Sequence, residues 1–180
     1  MDVSFRRYDP ARDEAALIEF LTTERWPHRV EVVLTEADVR RALDNGRYAR
    51  DDVLTFLVER DGELVGYVRA DGLGQDGQDP QLDFRLRERV RGQGIGRLAL
   101  THITRAIFDA HPRTRRIEAQ TRSDNIAMRR CFVRGGYVQE AVYRRAWPDA
   151  DGRLLDGIGY AILREDWESG TTTPVVFDEP

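Results

Sequence analysis

At 180 residues with 41% hydrophobic content, the chain has the length of one self-standing domain and enough apolar side chains to fill its core without metals or disulfides as staples. Charged residues make up 33% and the formal net charge is -4, which removes the broad positive field that collects nucleic acid or anionic lipid. All 28 basic residues are arginine, which excludes Schiff-base chemistry and a P-loop lysine, and the single Cys131 has no partner for an internal disulfide or a zinc pair, in keeping with a reducing, cytoplasmic setting.

Met1 to Pro10 carries Asp2, Arg6, Arg7 and Asp9 in place of an apolar signal core, and no apolar run reaches membrane-spanning length, so neither export nor insertion is expected. Val3 to Tyr8 alternates as a first strand, and Pro10 opens a helix with Ala15, Leu17, Ile18 and Leu21 at helical spacing. After Trp26, Pro27 and His28, a second helix is signalled by Thr35 as N-cap and Gly46 as stop. Val53 to Glu59 and Glu63 to Arg69 read as a hairpin about Asp61 and Gly62. Asp71 to Pro80 holds three glycines and three aspartates without apolar periodicity and is expected as an exposed loop bordering a substrate site. Gln81 to Arg87 alternates as a strand, with Leu82, Phe84 and Leu86 on one face and Asp83, Arg85 and Arg87 on the other. A helix follows from Gly94 to about Ala110, before Pro112. Arg116 to Thr121 is a strand, Ser123 or Asp124 caps a helix ending at Gly135 and Gly136, and Tyr137 to Trp147 and Leu154 to Leu163 form a closing hairpin. The tail from Ser169 is polar until Val175, Val176 and Phe177, which either add an edge strand or trail. The order is mixed α/β (α+β) with a mostly antiparallel sheet, not a doubly wound parallel one.

The most informative segment is Arg91-Gly92-Gln93-Gly94-Ile95-Gly96, between a strand and a helix. Glycines allow a tight turn with bare backbone N–H groups, and these, with the dipole of the following helix, favour a pyrophosphate. A P-loop needs Gly-Lys, and a dinucleotide fingerprint needs glycine where Arg97 stands.

These residues resemble the (Q/R)xxGx(G/A) signature of the GNAT family of N-acetyltransferases, with Arg91, Gly94 and Gly96 in its places. Asp124-Asn125-Ile126-Ala127-Met128 and Gly136-Tyr137 echo a second family motif, and Arg144 through Trp167 is similar to the end of the ribosomal-protein alanine acetyltransferase branch. The resemblance covers about residues 50 to 167. It implies a GNAT-like sheet flanked by helices and acetyl transfer from acetyl-CoA, as co-substrate, to a primary amine by direct attack. Backbone amides from Arg91 through Gly92, Gln93, Gly94 and Ile95 to Gly96 would hold the pyrophosphate. The backbone near Leu86 and Arg87 would pair with pantetheine, and Asn125 would bond the cofactor arm. Many members place a tyrosine acid seven residues after that asparagine; Phe132 stands there and has no proton to give. A thiolate with a free pKa near 8.5 leaves with only weak help.

For the base, Asp83 and Glu118 are the first candidates, both on central strands, where a carboxylate is unusual unless it has a task or pairs with a nearby arginine such as Arg85 or Arg116. Trp26, His28 and Glu31 would either wall an acceptor site or pack and solvate the helix pair, and no histidine is spaced with a second metal ligand. The acceptor is expected to be a protein N-terminus or a small cationic amine; an aminoglycoside is the alternative that the acidic 71–79 loop would suit. A different class of reading is a non-catalytic acyl-CoA-binding module, which Phe132 favours. Family likeness also raises a homodimer.

Overall fold

The computed structural model describes residues 2–75 and 77–176. Its elements are β1 (Val3–Arg7), α1 (Pro10–Thr22), α2 (Glu36–Asp44), β2 (Val53–Arg60), β3 (Glu63–Asp71), β4 (Gln81–Leu86), α3 (Ile95–Ala110), β5 (Arg116–Arg122), α4 (Ile126–Arg134), β6 (Val138–Pro148), β7 (Leu154–Leu163) and α5 (Arg164–Ser169). The strands make one seven-stranded sheet in the order β1-β2-β3-β4-β5-β7-β6. All neighbours are antiparallel except β4 and β5. Mixed α/β with a mostly antiparallel sheet is therefore the fold, as the element order implies.

The β2–β3 hairpin turns at Asp61 (φ 50°) and Gly62 (φ 82°), and two left-handed residues in succession match the twist of the flanking strands. Its strands are buried on both faces because helices cover both sides of the sheet. Against one face, Ile95, Leu100, Ile103 and Ile107 of α3 pack on Val68 and Ile117. Each such fully buried side chain is worth about 1.5–3 kcal/mol. Against the other, Leu17, Phe20 and Leu21 of α1 and Val39 of α2 pack on Leu57 and Tyr67. Asp9 caps α1 by accepting from the Ala11 N–H, and Thr35 and Asp38 close a reciprocal capping box on α2.

One sequence reading changes, one element goes unread and one open alternative is decided. Asn125 caps α4 in place of Ser123 or Asp124; all three residues have capping chemistry, but Asp124 is held by the Arg122 guanidinium at 2.7 and 2.9 Å. The short α5 has no stripe long enough to read, and only Gly170 (φ 70°) marks its end. Val175 and Val176 form no strand, and Phe177 lies outside the described residues.

Between β4 and β5 only Gln81–Glu118 and Leu82–Ala119 pair, after which the strands part. This split places the site. Gly66 of β3 holds β4 close to it: a Cβ there meets the Arg85 carbonyl oxygen and the Leu86 side chain. Gly66→Ala should therefore cost about 1–3 kcal/mol by overpacking, read as a lower urea midpoint at unchanged slope.

Candidate active site

On the α3 side of the split, Gly92 (φ 74°) and Gly94 (φ 85°) are both left-handed, and a Cβ at either would meet nothing within 4 Å. Conformation, not crowding, demands glycine there. Gly94 stands at the N-cap of α3 with no side-chain cap. Among the described residues, the backbone N–H groups of Gly92, Gln93, Gly94, Ile95 and Gly96 have no protein acceptor. Five free donors at the start of a 16-residue helix form an anion cradle. The Ile95 side chain is buried in the core and the Gln93 side chain is tied to Arg89 O and Arg60, so both offer only their main chain. Arg91 does not face the cradle: its Nε donates to Leu86 O at 3.0 Å and its guanidinium lies 5.9 Å from the Trp26 ring.

Beside the cradle, strand alternation turns the outward backbone groups of Phe84 and Leu86 toward β5, where no strand meets them. Their carbonyls accept from Arg29 Nη2 and Arg91 Nε, both at 3.0 Å. Their N–H groups are left for an extended ligand. Arg87, expected to share this role, has its N–H bonded to Val65 O at 2.8 Å and its side chain on Glu19 and Glu24. Leu86 thus lies at the split and Arg87 belongs to the sheet. Asn125 accepts from the Met128 N–H at 3.3 Å and donates to Thr121 Oγ1 at 3.0 Å, so both of its polar atoms fix the β5–α4 junction. Phe132 is buried behind the split among Phe84, Tyr137 and Tyr160.

The opposite face of the split is arginine-rich. Asp83 is 7% exposed and is met by Arg29, Arg69 and Arg47, with the Tyr67 hydroxyl donating at 2.8 Å. Burial alone would raise its pKa, but Arg29, Arg85, Arg69 and Arg47 outweigh burial and hold the carboxyl below the usual range. Such a carboxylate is too weak a base to take a proton from an ammonium. Glu118 lies at the closed end of the split, bound by Arg116 at 2.6 Å and by Gln81. The loop after α1 crosses the open end. Its Trp26 is buried against Phe20 and donates to Leu21 O, so it packs the helices; Arg29 anchors on β4, and His28 Nδ1 stands 3.6 Å from Asp124. Burial, then Arg122, lowers the His28 pKa, with Asp124 opposing. Glu31 is exposed. Arg85 and Arg122 were missed as residues of this face, the available signal being charge at alternate positions of β4 and β5; Arg29, in the loop between α1 and α2, carried no such signal.

The profile of the family described as Acetyltransferase (GNAT) domain matches residues 2–138. The chain belongs to the GNAT acetyltransferase family. Solved structures agree on the fold. The spermidine N-acetyltransferase from Vibrio cholerae in complex with CoA and spermine has TM-score 0.76 at 14% identity over 92% of this chain and 98% of that one. RimL, a ribosomal L7/L12 alpha-N-protein acetyltransferase in complex with coenzyme A, has TM-score 0.76 at 18% identity over 89% and 93%. The ribosomal-protein-alanine N-acetyltransferase from Brucella melitensis has TM-score 0.71 at 20% identity over 89% and 99%. No curated protein matches by sequence.

Acetyl-CoA is the co-substrate of this acetyltransferase, and the free donors of residues 92–96 fit its pyrophosphate chemically. The thiol Cys131 borders Gly96, and burial pushes it up to about 11 although Arg97 opposes, so it stays protonated at neutral pH. The Tyr137 hydroxyl is bonded to Thr104 at 2.7 Å in the core, away from the split. The hollow of about 430 Å³ between residues 74, 75 and 77–79 and residues 110–115 lies apart from the cradle. Among the described residues no cluster of histidine, cysteine and carboxylates is placed to hold a metal, and no helix is long and apolar enough to cross a membrane.

Proposed function

We propose that residues 1–180 form one cytoplasmic N-acetyltransferase domain that moves acetyl from acetyl-CoA to a primary amine by direct attack in a ternary complex. The observation that carries this reading is the row of five free N–H groups at the start of α3, set beside the unpaired edge of β4. Bound there, acetyl-CoA supplies an activated thioester. The N–H of Phe84 or Leu86 is a fixed dipole suited to the charge that develops on a carbonyl in that split. The amine approaches from the face that carries His28 and Arg29. Relatives of this fold act, by their names, on spermidine and on ribosomal-protein amines. Of the expected acceptors, the arginine-rich face favours a protein N-terminus over a polycation. The acidic loop that would suit an aminoglycoside is neutralised at both ends, Asp71 by Arg69 and Asp79 by Arg116. The reading of a homodimer stands only on family likeness.

His28 is the base we assign, because a depressed pKa keeps its imidazole neutral and able to accept a proton at pH 7. The protonated form gains as pH falls, so kcat at saturating amine should fall only below the ordinary histidine range and be level near neutrality. His28→Gln should lose that acid limb and roughly 10²-fold in kcat. An unchanged pH profile removes His28 from this role.

The test of the whole reading is calorimetric titration of acetyl-CoA followed by CoA release with an amine panel. Phe132, buried without a phenol, supports the alternative of a binding module that no longer turns over. Acetyl-CoA affinity with no release across the panel would favour it.

A further inference from the structure

Arg85 of β4 and Arg122 of β5 stand in equivalent places on the two sides of the split. Gln81 pairs with Glu118, and four residues further along each strand come Arg85 and Arg122, at the end where the strands have parted. Both share the sheet face of Gln81 and Glu118, opposite the α3 cradle. They are 8% and 5% exposed, yet Arg85 Nε and Nη1 and Arg122 Nη1 are buried with no hydrogen-bond partner among the described residues. A fourth buried orphan donor, Trp147 Nε1, belongs to the ring that packs on Gly157, the β7 residue in register with Arg122. Buried guanidinium donors without acceptors are costly and rare in a folded protein.

Charge points the same way. Arg29, Arg47, Arg69 and Arg85 all act on Asp83, and among the described residues only Asp71 besides it meets one of them, Arg69 at 2.5 Å. Arg85 itself meets no carboxylate within ion-pair distance among the described residues. Arg122 is balanced by Asp124, but that bidentate contact uses Nε and Nη2 and leaves Nη1 free. Both side chains are also held in place: the Arg85 guanidinium lies 4.9 Å from the Trp26 ring, and Arg122 is fixed by its carboxylate.

We propose that the acceptor carries a carboxylate near its amine, and that Arg85 and Arg122 bind this carboxylate across the open end of the split. The proposal rests on the transferase reading above and narrows its substrate class to amino acids or peptides with an acidic group close to the N-terminus. Charged N–H donors fixed on either side of the split suit the two oxygens of one carboxylate. The face opposite the cradle is the one from which His28 can serve the amine.

Initial rates decide it, measured with amino acids against their carboxamides, peptides with Asp or Glu against Asn or Gln as second residue, and spermidine. Carboxylate members should exceed their amide partners in kcat/KM by roughly 10- to 100-fold, the worth of a charge-assisted bond. Arg122→Gln and Arg85→Gln should collapse that ratio toward one, with Arg85→Lys in reserve if loss of the Trp26 stack prevents folding. Equal rates for acid and amide, or a preference for spermidine, overturn the proposal. Should no amine be turned over, tryptophan fluorescence titrated with malonate, malonamide and inorganic phosphate still separates the two readings. Saturable change with malonate alone, lost in Arg122→Gln, sustains the carboxylate site while the transferase reading falls. No change, or an equal change with phosphate, sinks the site.

Discussion

Replacing Gly94 and Gly96 together with aspartate should abolish measurable acetyl-CoA binding while leaving the fold in place. The donors of residues 92–96 offer partial positive charge and unpaired N–H groups, and two carboxylates beside them reverse the sign of the site. Two like charges about 4 Å apart cost about 4 kcal/mol at an effective dielectric near 20, so one such contact weakens binding by roughly 10³-fold before screening. Space is not the obstacle: a Cβ at Gly94 meets nothing within 4 Å, and one at Gly96 makes ordinary contacts at 3.6 and 3.7 Å with Leu86 and Cys131, so the cost to the fold is the left-handed backbone at position 94, about 1–2 kcal/mol. Titration calorimetry on both proteins reads the affinity, and thermal melts report whether the double variant is folded. A folded variant that binds acetyl-CoA as tightly as the parent would mean that the pyrophosphate lies elsewhere, and the assignment of the split would go with it.

The cradle was legible because its requirement is local. Left-handed backbone at Gly92 and Gly94 and bare N–H groups at a helix start follow from a few adjacent letters, as does the left-handed pair Asp61-Gly62 in the first hairpin. The strands and long helices were legible by period, since α3 repeats its buried isoleucines on one face. The opposite face was not, because its residues meet only in three dimensions. Arg29 lies 54 positions from Asp83, and His28 lies 94 from Arg122. Alternation showed that Asp83 and Arg85 share a face but left open whether that face is solvent or a buried cluster, and the α1–α2 loop that closes over it has no periodic signal. Arg87 was placed beside Leu86 by the resemblance alone; its parity is that of Arg85, so its N–H turns back to β3 and reaches Val65 O.

Asp83→Asn should be the most destabilising single change on that face. The carboxylate compensates Arg29, Arg47 and Arg69 and accepts from Tyr67; the amide keeps the shape and removes the charge. Breaking a buried charge network by removing one partner costs about 3–5 kcal/mol, and in a chain of this size that lowers the melting temperature by roughly 6–20 °C. The sign with pH follows from linkage. Arg29 and its neighbours, outweighing burial, keep the folded pKa of Asp83 below its unfolded value. Its contribution is therefore complete above the ordinary aspartate range and is lost as pH falls through the folded pKa. Urea unfolding from neutral pH down to pH near 3 should show the gap between parent and variant wide at neutrality and narrowing only toward the acid end. Arg29 then keeps only its bond to Phe84 O, so the loop that holds His28 is held less firmly and acceptor KM should rise along with the loss of stability. A base would behave otherwise. If Asp83→Asn melted like the parent and lost only kcat, the carboxylate would be the proton acceptor and His28 its neighbour, the reverse of the roles assigned to them by burial and charge.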